Sequence, residues 1–369
     1  MSFVLIWIKI MKLLRAHSIF QSWKTATRIR QMTTSSKGLQ RYQDPFVDFE
    51  KRDGETHLGE IIGPDQYGIT SATHVLVGIP EDIGVRANGG RGGASYTPNM
   101  VFKALGNFQS NSFFNGTQIG WGGNVNVDEY QHESEDLTFA DDEAQLRHLT
   151  AMVDIAVIDH LQPLFEAGKI PIIIGGGHNN AYGALYAASI GLDSVMNAIN
   201  LDPHPDCREM EGRHSGNGFL YAHEHNCLNR YAVLGMYETA VNTSSLNKLK
   251  HTPGWMFESF ESFGVRDDTT FAEARDRCLE HVGGSNRLFG LEIDTDGIIN
   301  CPSSAQTTTG WNWNDARKLA YKAAQMKGCS YLHMAEASII NAAPHDQPSI
   351  AKAMAHVIVD FVRGHNDGK

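Results

Sequence analysis

From about residue 73 onward, short apolar runs alternate with longer stretches of mixed polarity. His74 to Ile79, Ile170 to Ile174, Val195 to Leu201, Tyr231 to Met236, Arg287 to Ile293 and Tyr331 to Met334 read as strands buried on both faces. Between them, Glu143 to Ala167, Ala181 to Ser189, Asp267 to His281, Asp315 to Met326 and Ser349 to Val362 carry apolar residues at helical spacing. Strand and helix in regular exchange predict an α/β fold: a single three-layer domain whose doubly wound, mainly parallel sheet is covered on both faces. No internal repeat or Pro/Ser-rich linker interrupts residues 42–369, so one domain is expected there.

Residues 1–41 break the pattern. An apolar run from Phe3 to Ile8 is followed by basic residues interleaved with apolar and hydroxyl ones, with eight Lys/Arg and no Asp or Glu through Arg41. A helix of that composition is basic and amphipathic, which predicts a mitochondrial presequence and a matrix location rather than a cytoplasmic one. The alternatives are a plain disordered extension, an upstream start ahead of Met11 or Met32, and a secretory signal. Secretion fits less well, because the charges follow the apolar run and no Ala-x-Ala site is evident.

Charge sharpens the division. The net charge is −11 overall, so with eight cations in the leader the rest of the chain carries −19. An acidic body argues against nucleic acid or an anionic membrane surface as partner. No run reaches the ~18 apolar residues of a membrane span. Five cysteines without paired spacing predict no disulfide framework.

Reactive residues gather where the predicted strands end. Ile170 to Ile174 runs into Gly175-Gly176-Gly177-His178, and three glycines allow a sharp turn that delivers the imidazole to the strand end. Val195 to Leu201 runs into Asp202-Pro203-His204-Pro205-Asp206. If that piece is extended, its two carboxylates and imidazole share one face, and the prolines place it at or beyond the strand end. Arg287 to Ile293 ends in Asp294-Thr295-Asp296. Each motif alone could be a helix cap or a structural histidine. Four carboxylates held together repel unless cations neutralise them, and a pair of divalent metals would do so. Carboxylate and imidazole without thiolate favour Mn²⁺ over Zn²⁺.

This set, with Asn200 before Asp202, resembles the arginase family of binuclear manganese ureohydrolases over about Thr73 to Asp360. The resemblance implies two Mn²⁺ per chain. His178 and Asp206 would hold one, His204 and Asp296 the other, with Asp202 and Asp294 bridging. It also implies attack of a metal-bridging hydroxide on a planar amidine or guanidine carbon. Asp206 would carry the proton, His214 would shuttle it to solvent, and Glu336 would pair with the cationic substrate head. A trimeric or hexameric assembly is implied by analogy only.

The family does not choose the substrate. The stretch Gly84-Val85-Arg86-x-Asn88-Gly89-Gly90-Arg91, the run Ala181-Tyr182-Gly183 after His178, and Asp206-x-Arg208 followed by His214-Ser215-Gly216 resemble the formimidoylglutamase branch more closely than arginase. Only seven residues separate Asp206 from His214, too few for the usual arginase contact loop. Arg208, Arg213, Ser215, Asn217, Asn88 and Arg91 are the expected contacts to a small amino-acid substrate, since guanidinium forks match its carboxylates. For Arg86 and Arg91, a structural pair locking the glycine loop is equally open, as is a salt bridge beneath the metal site for Arg208. Arginase, another guanidino-substrate hydrolase and a metal-binding regulatory relative remain the rival readings. Pro203, Asn179 and the run after Asp296 depart from the family pattern, and that run should help wall the pocket.

Overall fold

The computed structural model describes residues 45–46, 52–62 and 71–368. The predicted presequence lies outside them.

Eight strands form one all-parallel sheet: β1 (His74–Gly78), β2 (Ile119–Asn124), β3 (Ile170–Ile174), β4 (Met196–Leu201), β5 (Leu228–Met236), β6 (Trp255–Ser259), β7 (Phe289–Asp294) and β8 (Cys329–Ala335). Their order across the sheet is β2-β1-β3-β8-β7-β4-β5-β6. All six apolar runs are strands, and β3 matches its predicted bounds. The two unpredicted strands are the two edges. β2 (IGWGGN) is half glycine, and at Gly122 a Cβ would stand 2.6 Å from Val75 Cγ1, so the strand can pair closely with β1 only without a side chain there. β6 is buried only at its ends. An edge strand lacks the continuous apolar run of a central one, so periodicity passes over it.

Helices of nine residues or more are α1 (Thr97–Gly106), α2 (Phe139–Glu166), α3 (Asn180–Gly191), α4 (Thr243–His251), α5 (Phe271–Gly283), α6 (Trp313–Ala324) and α7 (Gln347–Asp367). Capping explains where several begin. Thr138 accepts from Asp141 N at α2, Thr270 and Glu273 form a capping box at α5, and Asn312 and Asp315 form another at α6. Inside α2 the backbone leaves helical geometry at Asp142 (φ −126°), the residue before the predicted start.

The layers follow from what each helix buries. One core packs α1, α5, α6 and α7 against Leu76, Ile172, Leu291 and Leu332. The other packs α2 and α3 against Val75, Ile173, Ala198 and Val233. Alternate residues of each strand thus enter opposite cores, giving the expected three layers. Among the described residues, no helix is long and apolar enough to cross a membrane.

Candidate metal centre and substrate pocket

All the predicted metal-ligating residues leave the carboxyl ends of β3, β4 and β7, and Glu336 follows β8. These four strands are contiguous in the sheet, so their outgoing loops meet over its centre.

The glycine turn after β3 is required by space and by backbone conformation. Gly175 and Gly176 have φ of 88° and 73°, and a Cβ at Gly175 would lie 2.5 Å from Pro98. Glu81, which the sequence reading passed over, organises the turn. It is fully buried and accepts from Ile83 N, Gly177 N and Asn180 Nδ2 at 2.7, 2.8 and 2.6 Å, tying the first loop to the third. Burial pushes its carboxyl above the ordinary range against those hydrogen bonds. Asn179 joins it with a weak 3.4 Å contact.

His178 is completely buried, and its Nδ1 lies 3.2, 2.9 and 3.1 Å from carboxylate oxygens of Asp202, Asp206 and Asp294. These four residues are the set expected around one manganese. They form one of two groups in the described residues with atoms close enough to hold an ion. Asp202 turns its other oxygen toward His204, accepting from the His204 amide at 2.6 Å with the ring Nδ1 at 3.5 Å. Asp296 Oδ2 lies 3.7 Å from the same ring nitrogen. Asp202 therefore faces both histidines. The Asp202–Asp206 piece is not extended, contrary to expectation: it bends away after Leu201, and Asp206 takes a left-handed φ of 40°. That bend, not strand alternation, brings the groups together. Glu336 is also left-handed, at φ 67°. Such conformations in non-glycine residues persist only where the surroundings enforce them.

The donor set fits divalent manganese. Burial, then neighbouring carboxylates, raises the Asp294 and Asp206 carboxyls, so the protein alone cannot keep all of them ionised. Burial would lower His204, but Asp202 and its neighbours hold it up at about 10. His178 Nδ1 makes no well-directed hydrogen bond although three carboxylates crowd it. A divalent ion would resolve each of these tensions by displacing protons and neutralising charge.

Beside this centre, a pocket is lined by Asn88, Arg208, Ser215, Val241, Ser304 and Glu336 among others. Glu336 Oε1 accepts from His178 N at 2.9 Å, while Oε2 takes no well-directed hydrogen bond. Burial and the charge of Asp296 push Glu336 up to about 8. Arg208 contacts Asn88 Oδ1 only weakly, at 3.5 Å, and Asn88 Nδ2 reaches Ser215 Oγ at 3.3 Å. The run after Asp296 does wall the site: Ser304 Oγ and Ala305 N reach the two Asp296 oxygens at 3.3 and 3.2 Å.

Three of the expected functional residues have other work. Arg213 is buried, with Nε 2.7 Å from Asp154 Oδ2 and Nη2 2.8 Å from Asn179 O, against the Tyr182 and Tyr221 rings. Asn217 accepts from Arg213 and donates to Gly212 O at 2.8 Å. His214 caps the turn Ser215–Asn217, accepting from Gly216 N at 3.1 Å, and burial with nearby arginines pushes it down to about 3. The other His214 ring nitrogen, Nε2, lies 3.4 Å from Oε1 of the half-exposed Glu211 carboxylate, and none of the three lines the pocket. Arg91 is exposed and also outside the lining. Arg86 is structural, bonding Asp82 Oδ1 at 3.1 Å and Ser134 O at 2.6 Å. Cys207, beside Asp206, is held as a thiol because burial pushes it up to about 12.

The chain belongs to the arginase family, which it matches over residues 72–362. It is 32% identical over 215 residues to a formimidoylglutamase from Aromatoleum aromaticum, covering 55% of this chain and 58% of that one. The chain thus spans a little over half the length of that curated relative. Its fold is similar to that of formimidoylglutamase from Bacillus subtilis, with a TM-score of 0.70 at 15% identity over 92% of this chain and 98% of the other. It is also similar to Trypanosoma cruzi formiminoglutamase with Mn²⁺, with a TM-score of 0.66 at 17% identity over 83% and 98%.

Proposed function

We propose that this chain hydrolyses the amidine of formimidoylglutamate, using two Mn²⁺ held by His178, Asp202, His204, Asp206, Asp294 and Asp296. The observation that carries the substrate is the pocket's charge pattern. Among the described residues, no acid lines it apart from the three Asp candidate ligands and Glu336, and Arg208 is the one Lys or Arg that does. Arginine would bring an α-ammonium that finds no acidic partner there. Formimidoylglutamate has no free ammonium, because its amidine is built on that nitrogen, and it brings two carboxylates. The names of the relatives agree with this choice.

Divalent manganese, when bound, would make water acidic enough to furnish hydroxide, the nucleophile for a planar carbon, at neutral pH. The rest falls to the protein. Glu336 offers its free Oε2 to the amidinium, whose positive charge favours the ionised carboxylate. Arg208, with Asn88 and Ser215 beside it, takes a substrate carboxylate and fixes the distance from head to tail. Asp206, at the pocket wall, carries a proton to the leaving nitrogen, so that formamide and glutamate separate. His214, whose Nε2 lies 3.4 Å from the half-exposed Glu211, remains the proposed shuttle of that proton to solvent. The leader remains a proposed mitochondrial presequence.

The test compares formimidoylglutamate with arginine on manganese-loaded protein, measuring formamide and urea. Formamide release is expected. Arg208→Ala should raise KM for formimidoylglutamate at least tenfold, about 1.4 kcal/mol of lost binding, with metal content unchanged. Efficient urea release from arginine without formamide would establish arginase instead. Two bound Mn²⁺ with neither reaction would point to a regulatory relative.

A further inference from the structure

A second polar group lies behind the metal centre, inside the sheet-to-helix core. Glu292 sits on β7, and its register partner on β8 is His333, with Tyr331 two residues earlier on the same face. All three are fully buried. Tyr331 Oη donates to Glu292 Oε1 at 2.6 Å, and His333 Nδ1 stands 2.6 Å from Glu292 Oε2. The other His333 nitrogen faces Gly175 O at 3.3 Å, within the turn that delivers His178. The same Glu292 Oε2 lies 3.5 Å from His178 Nε2, the ring nitrogen turned away from the three aspartates.

The group is built into the sheet. Gly290, the register partner of Tyr331, would place a Cβ 2.1 Å from the Tyr331 ring, so the phenol reaches Glu292 only because position 290 has no side chain. Placing a carboxylate between central strands is costly unless its oxygens are satisfied. Here each oxygen has a partner. His178, Glu292 and His333 also lie close enough together to hold an ion themselves. The hydrogen bonds argue against that role, because both Glu292 oxygens already accept from Tyr331 and His333.

We propose that Glu292, fixed by Tyr331 and His333, is a positioning residue that orients the His178 ring for manganese through Nε2. This rests on the reading of His178 as a ligand. A carboxylate behind a ligating imidazole fixes which ring nitrogen carries the proton, sets the ring's rotation and makes the ligand more basic. The Gly175 contact couples the same group to the glycine turn.

The experiment titrates Mn²⁺ into full-length, metal-stripped Glu292→Gln and Tyr331→Phe by calorimetry, alongside the melting temperature of the stripped proteins. Glu292→Gln should weaken Mn²⁺ binding by about ten- to a hundredfold. Tyr331→Phe should weaken it at least threefold. In each folded variant, turnover lost at limiting Mn²⁺ should return at excess, a rescue that mere loss of packing would not show. If Glu292→Gln does not fold, Tyr331→Phe decides. Affinity within twofold of wild type in the folded variants overturns the inference. Wild-type protein that takes up no Mn²⁺ overturns the metal reading itself, and this inference with it.

Discussion

Replacing Arg213 with alanine separates the structural assignment from the sequence expectation of a substrate contact. The guanidinium bonds Asp154 at 2.7 and 3.2 Å and Asn179 O at 2.8 Å, and also bonds Asn217. Its carbon stands 5.0 and 4.6 Å from the Tyr182 and Tyr221 ring centroids. Both Arg213 and Asp154 are almost wholly buried. Removing one partner of such a pair costs roughly 3–5 kcal/mol, because the other is left desolvated. The loss is bounded: burial already raises the Asp154 carboxyl against the pull of Arg213, so without the arginine it takes up a proton instead of staying charged. At about 2–3 °C per kcal/mol, Arg213→Ala should lower the melting temperature by roughly 6–15 °C. Arg213→Lys should fall between, since an ammonium keeps the charge but cannot match the fork. Differential scanning calorimetry of the metal-loaded proteins reads the shift, and steady-state kinetics below both transitions reads KM. A melting temperature within 2 °C of wild type, with KM raised tenfold, would refute the structural assignment and restore Arg213 to the substrate.

Two further outcomes are expected. Exhaustive chelation should lower the melting temperature, and added Mn²⁺ should restore it, with about 2.7 kcal/mol regained per site at a hundred times its dissociation constant; elemental analysis should then count two manganese per chain, and one would refute the paired centre. A fusion of residues 1–41 to a fluorescent protein should accumulate in mitochondria, whereas a uniformly cytosolic signal would remove the targeting proposal.

What could be read from the sequence, and what could not, divides by distance along the chain. The metal-ligating residues were legible because each motif is local: His178 follows its glycines directly, and Asp202, His204 and Asp206 fall within five residues. The central strands were legible because burial on both faces makes them continuously apolar, whereas β2 and β6 at the edges do not carry that mark. The fate of the arginines was not legible. Arg208 and Arg213 stand five positions apart with the same chemistry, and Asp154, which commits Arg213, lies fifty-nine residues away on α2. Arg86 is likewise committed by Asp82 and Ser134, so only the assembled fold shows which cation faces the pocket. Glu292 left a trace, a charge inside an otherwise apolar strand, but its meaning depends on the β7–β8 register that sets His333 opposite it. Asp82 and Asp154 thus bear on the site without lining it, by holding Arg86 and Arg213 in the structure while Arg208 is left at the pocket wall.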